Sequence, residues 1–174
     1  MKDTQKALQM AAYLLQYPDQ DWRQELPEWE KAVTELERPQ FQEVFADFFA
    51  YLAAMEPGEY EDQYVRVFDF SKNTTLYLTS HDCTDPGKQA AELLAYKAFF
   101  SANGFGLFKE LPDYLPALLE LCAAVPEDEA GHILQYARHK IELLRERLIE
   151  GKLVYAFLLD VVLTAAGGLE GKTA

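Results

Sequence analysis

Apolar positions recur at helical spacing along almost the whole chain, and prolines and glycines punctuate them. Ala7, Leu8, Ala11, Leu14 and Leu15 predict a first helix that stops before Pro18. Trp22, Leu26, Trp29, Val33 and Leu36 follow in alternating steps of four and three. Pro27 interrupts that register and is expected to open the helix proper, as proline does at a first helical position. Pro39 predicts the start of another helix, with Phe41, Val44, Phe45, Phe48, Leu52 and Met55 on its apolar face and Pro57-Gly58 closing it. Glu59 to Phe68 reads as a fourth, with Tyr60, Tyr64, Val67 and Phe68 inward. In DFSKNTTLYLTSHD the run Leu76-Tyr77-Leu78 has strand character. A lone strand leaves its N–H and C=O groups without partners, so a short helix is expected there.

Asp85-Pro86 pairs a capping acid with a helical proline and predicts a helix to about Asn103-Gly104. After GFGLFKELPDY, Pro116 is expected to open a helix through Leu118, Leu119, Cys122 and Val125. Pro126 and the acids Glu127, Asp128 and Glu129 mark the next start, because carboxylates suit the free N–H groups of a first turn. That helix uses Ile133, Ala137, Ile141, Leu144 and Leu148, and Gly151 is its predicted stop. The last, Leu153 to Ala166, is apolar around most of its circumference and should lie deep, ending at Gly167-Gly168. GLEGKTA reads as a frayed tail from about 167. Without repeats or a linker, the expected fold is all-α: one domain over 1–174, a bundle of about eight to nine helices.

Composition narrows the function classes. The chain has 174 residues, with 29 acids against 16 bases for a net charge of −13. A general nucleic-acid binder or a protein of anionic membrane surfaces needs the opposite potential. The most apolar late stretch, Leu153 to Ala166, is too short to span a bilayer and contains Asp160. Cys83 and Cys122 form no C-x-x-C, the start lacks a secretory signal, and reduced thiols in the cytoplasm are expected.

Catalytic chemistry finds no address. His81-Asp82 would need further metal ligands, and Glu129-x-x-His132 is a single copy of a motif that di-iron bundles use twice. No G-x-S-x-G, phosphate loop or dinucleotide fingerprint occurs. The expectation is a non-enzyme without cofactor or metal. Two features ask for more than solubility. Asp19 to Glu37 holds seven acids against two bases, and Glu56 to Asp69 holds five against Arg66. Of the 23 aromatic residues, Phe70, Tyr77, Phe105, Phe108 and Tyr114 fall in predicted links. Each must tuck onto the core or line a groove, and acids beside a groove suit a basic, amphipathic peptide. Asp160, inside an apolar helix, is expected to be paired, capped by a polar neighbour or at the surface, a structural partner being favoured over a polar floor under the groove.

Four segments carry a resemblance: AAYLLQYPDQDW (11–22), YVRVFDFSKNTTLYLTSH (64–81), ELPDYLPALLEL (110–121) and LLDVVLTAA (158–166). Together they resemble the delta-subunit assembly chaperones of respiratory nitrate reductase, within the wider TorD-like helical chaperones of molybdenum enzymes. The resemblance implies a TorD-like helical fold and a cytoplasmic chaperone. Its partner would be the N-terminal tail of the apo catalytic subunit of nitrate reductase, held while the molybdenum cofactor is inserted and membrane docking is delayed. The chaperone would be absent from the mature enzyme. The alternative is service to another molybdenum oxidoreductase through its twin-arginine leader. One run departs from the family, where an Arg-rich loop often follows the histidine. Here it is Asp82-Cys83-Thr84-Asp85-Pro86-Gly87-Lys88, and Lys88 as a point charge cannot copy an arginine fork.

On this reading Tyr64, Phe68 and Leu78 are expected to shape a peptide groove. Asp69 and Asp113 would face basic tail residues, and Tyr114 and Leu115 would close its apolar end. His81 would contribute a hydrogen bond or pH sensitivity.

Overall fold

A computed structural model describes residues 2–82, 85–107 and 109–170. Eight α-helices make up the described residues: α1 Asp3–Leu14, α2 Gln20–Ala32, α3 Pro39–Ala53, α4 Pro57–Tyr64, α5 Pro86–Ala102, α6 Leu115–Ala124, α7 Glu127–Glu150 and α8 Ala156–Glu170. A π turn, Val65–Asp69, extends α4, and short 3-10 turns occupy Val33–Glu35 and Leu78–His81. No strand is present among the described residues, only a single antiparallel bridge between Tyr77 and Tyr114. The expected all-α fold is therefore observed.

Local chemistry accounts for most starts. Pro39, Pro57, Pro86 and Pro116 lie in first turns, where the missing N–H is not needed. Asp19 caps α2 by accepting from the Trp22 N–H at 2.9 Å, and Asp85 caps α5 through the Gly87 N–H at 2.9 Å. Three acids occupy the first turn of α7, and Gly151 caps its end.

Several boundaries differ from expectation: Pro57 opens α4 rather than closing α3, and α8 starts at Ala156 rather than Leu153. Pro27 lies inside α2 rather than opening it, because the Asp19 cap already starts the helix and Pro27 sits on the exposed side. A carbonyl left without its donor there can be hydrated. The final helix continues through Gly167-Gly168 to Glu170, so the frayed tail does not begin at 167. Continuation buries Leu169 completely, and the Arg38 guanidinium comes within 3.4 Å of where a Cβ would stand on Gly168. Residues 171–174 lie outside the described ones.

The core is a spine of four helices, with α8 packed against α7, α1 and α3, and α1 against α6. Leu8, Ala11, Leu118, Leu119, Ile133, Leu144, Leu158, Leu159 and Val162 are sealed within it. Backbones approach closely where α7 meets the end of α8: a Cβ at Gly131 would stand 3.2 Å from that of Leu169. Asp160 finds the expected structural partner, its carboxylate accepting from Arg145 Nε. Cys122 is a buried free thiol, and burial pushes it up from its ordinary range.

Against this spine stands a wall built from α4, the π turn, residues 70–82 and the first turn of α6. Its interior is aromatic. Phe68 lies 4.8 Å from Tyr64 and 4.6 Å from Tyr155 between ring centroids. Tyr60 and Tyr155 bury their hydroxyls without a hydrogen-bond partner among the described residues.

Candidate functional site

The π turn brings several expected residues together, but most of them face inward. Tyr64 and Phe68 are buried, Tyr64 donating from its hydroxyl to the Leu15 carbonyl at 2.7 Å. Leu78 and Leu115 are fully buried. They hold two backbone bonds across the wall, Leu78 N–H to the Asp113 carbonyl (3.1 Å) and Leu115 N–H to the Leu76 carbonyl (2.9 Å). These four residues form the floor beneath a surface rather than the surface itself. The reason is steric economy: the π turn and the 70–82 segment have no sheet or second helix layer to cover them, so their apolar side chains fill the space against α1 and α8.

Asp113 does not face a partner, contrary to expectation. It is 1% exposed, and its Oδ2 accepts from the Thr79 N–H (3.0 Å) and the Thr79 hydroxyl (2.7 Å). The start of a 3-10 turn offers unpaired N–H groups, and this carboxylate satisfies one of them. His81 is likewise turned inward. Its Nε2 donates to the Thr75 carbonyl at 2.7 Å, and its Nδ1 accepts from Arg147, a group that can only donate. Burial lowers the imidazole from its ordinary range, and the nearby Arg147 and Lys140 charges lower it further, while the Thr75 bond opposes them.

Two expected residues reach solvent. Asp69 is exposed and Tyr114 half-buried. Tyr114 packs against Tyr77 with tilted rings, centroids 5.2 Å apart, and Tyr77 donates to Glu110. Tyr17, 45% exposed, meets Tyr64 edge-on at 5.7 Å. Burial first, then the negative charges of Glu110, Asp69 and Glu120, push the Tyr114 phenol up to about 12. The result is a patch of three accessible tyrosines rimmed by carboxylates.

Sequence reasoning missed the adjoining groove. A depression of about 480 Å³ lies between α1, α2, α6 and the 103–114 link. Trp29, Phe105, Leu107 and Leu121 give it apolar walls, with Gln16, Glu25 and Glu120 also at its edge. Gln16 Nε2 donates to Glu120 Oε1 at 2.8 Å at the groove edge. Partial burial raises the Glu120 carboxyl from its ordinary range, with Gln16 opposing. The signal was present: Glu120 is the one charged residue in α6, LPALLELCAA, and Phe105 is an aromatic in a link. Phe70 is 81% exposed beside the π turn, and Phe108 lies outside the described residues.

The divergent loop after His81 is described only in part, since Cys83 and Thr84 fall outside. Asp82 lies 3.4 Å from His139 and 3.5 Å from the largely buried Lys140, which also reaches Glu92 at 3.5 Å. These contacts are internal. Among the described residues no group of His, Cys, Asp or Glu is placed to hold a metal ion.

The arrangement has the apolar walls and negative rim that could take up a basic, amphipathic segment. Residues 15–157 match the family described as the nitrate reductase delta subunit. The chain belongs to that family. The delta-subunit family falls within the NarJ/TorD-like assembly chaperones of molybdoenzymes. The probable nitrate reductase molybdenum cofactor assembly chaperone NarJ of Bacillus subtilis is 35% identical over 164 residues, covering 94% of this chain and 89% of that one. The corresponding NarJ of Escherichia coli is 32% identical over 165 residues, covering 91% and 69%. The probable chaperone NarW of the same organism is 30% identical, covering 92% and 68%. No helix among the described residues is long and apolar enough to cross a membrane.

Proposed function

We propose that this chain is a system-specific, non-enzymatic chaperone acting in the cytoplasm on the apo catalytic subunit of respiratory nitrate reductase. It grips the N-terminal region of that subunit, assists molybdenum cofactor insertion and delays membrane docking by occupying the tail. It then leaves, and the mature enzyme does not contain it. What supports the reading is an apolar groove edged by Gln16 and Glu120, with Tyr17 next to Gln16 in sequence and the charges of Glu110, Asp69 and Glu120 acting on Tyr114. Apolar anchors of an amphipathic tail fit the groove, and its basic residues fit the rim. Tyr64, Phe68, Leu78, His81, Asp113 and Leu115 act from beneath, holding Tyr114 and Asp69 in place.

Peptide titration tests this at two salt concentrations, with a nitrate reductase catalytic-subunit tail and a twin-arginine leader side by side. The tail is expected to bind more tightly, and Tyr114→Ala to weaken it by about 2 kcal/mol. Preference for the leader would transfer the chaperone to another molybdenum oxidoreductase. Unchanged tail affinity in both Tyr114→Ala and Asp69→Asn would remove this surface from the reading.

A further inference from the structure

A second cavity, of about 650 Å³, opens on the other side of the wall, between the π turn and the corner that joins α7 to α8. It shares no lining residue with the groove. Its lining carries more positive than negative side chains, against the chain's net charge of −13. Arg66 from the π turn and Arg147 from the last turn of α7 both line it, with Ser71 and Asn73 as neutral donors. Glu150 is the one carboxylate among the lining residues and is exposed at the helix end.

The two guanidiniums stand apart from the other arginines. Arg23 pairs with Glu61, Arg38 with Asp3, Arg138 with Glu142 and Glu170, and Arg145 with Asp160. Among the described residues Arg66 and Arg147 meet no carboxylate within salt-bridge distance. Instead Arg66 donates only to the Asp62 carbonyl, at 3.4 Å, and Arg147 is fixed by neutral acceptors, the His81 ring and the His81 carbonyl at 3.1 Å. Arg147 is thus held in one orientation with its charge uncancelled. The cost of ordering a long side chain, which weakens most surface ion pairs, is already met before any ligand arrives.

Two guanidiniums and neutral donors lining one cavity have the chemistry that a phosphate's oxygens accept from, and arginine contacts phosphate through paired N–H bonds. The volume exceeds a bare phosphate and falls among those of small-molecule sites, about 300–1,000 Å³. We infer that this cavity binds a phosphate-bearing small molecule, its phosphate held between Arg66 and Arg147 and its remainder lying along Leu153 and Val67. The site is independent of tail capture, and neither needs the other to be correct.

Calorimetric titration of the full chain with inorganic pyrophosphate, at constant ionic strength, tests it. Saturable binding is expected, weakened at least about tenfold in Arg66→Gln and similarly in Arg147→Lys. Arg66 is exposed, so its variant decides the matter even if Arg147→Lys disturbs the fold around His81. Tail-peptide affinity in Arg66→Gln should match the unaltered chain, which separates this site from the groove. A parallel titration with ADP distinguishes sources. Tighter binding than pyrophosphate supports a nucleotide, and equal binding supports recognition of the phosphate alone. Absence of saturable pyrophosphate binding, equal affinity for sulfate, or undiminished binding by Arg66→Gln would each overturn the inference.

Discussion

The helical spine and the tyrosine wall close the same molecule by different means. Along α1, α6, α7 and α8 the buried residues are mostly Leu, Ala, Val and Ile, and what holds most of them is the fit of methyl groups. Across α4, the π turn and residues 70–82 the interior is rings, hydroxyls and a buried carboxylate, held by directed bonds from Tyr64 to Leu15, from Thr79 to Asp113 and from Arg147 to His81. A methyl-packed spine is sensitive to volume and indifferent to charge. A wall made of polar geometry is sensitive to protonation and to what lies against it, and both cavities discussed above are bounded by or adjoin it. The molecule keeps its rigidity on one side and its chemistry on the other.

The comparison can be broken most forcefully in the spine. Leu158 is fully buried on α8, and Leu158→Ala should cost about 3 kcal/mol in a denaturant titration, with no dependence on pH between 5 and 8. In the wall, Asp113→Ala strands the Thr79 N–H and should cost about 2 kcal/mol. Hydrogen exchange should accelerate locally at the Leu78 and Leu115 amides while the spine stays protected. Exchange rising equally in α7 would show that wall and spine are one cooperative unit.

A third effect is smaller and carries a sign. His81 has a folded-state pKa lowered below the usual 6.5, so as pH falls the unfolded chain takes up a proton first. Stability is therefore lost as pH drops below about 6.5 and is regained on return to neutrality. His81→Gln should flatten that slope, which thermal melts across the range would read; an unaltered slope would place the sensitivity elsewhere. The smallest effect belongs to the rim. Asp69→Asn should leave stability unchanged and slow tail-peptide association a few-fold at low salt, with the difference fading as salt rises.

How far all this was legible depends on how local the cause is. Pro39, Pro86, Pro116 and Pro126 marked helix starts correctly, because a missing N–H and a fixed φ act on the residues beside them. The helical continuation through Gly167-Gly168 was not legible, since it depends on Leu169 being buried under α7 and Arg38 covering Gly168, both distant in sequence. The site divides the same way. That acids and link aromatics would form a surface was readable from composition around Asp69 and Tyr114. Which way each side chain turns was not: Asp69 and Asp113 are the same residue type in similar links, yet one is exposed and the other sits under Thr79. Glu120 and Trp29, separated by three helices in sequence, meet at one groove only once α1 lies between them.

The chain has two tryptophans, and both lie on α2. Trp22 is locked in place: its Nε1 donates to the Tyr13 carbonyl at 2.8 Å, and its carbonyl accepts from the Tyr13 hydroxyl at 2.5 Å. Trp29 stacks on the other side of the same Tyr13 ring system, at 4.7 Å, and opens onto the groove. One indole is thus an internal standard and the other a sensor, so the native emission spectrum reports groove occupancy without an added dye. Blue-shifted light from Trp29 on filling, against an unmoving contribution from Trp22, would let client capture and release be followed in real time on the unlabelled protein.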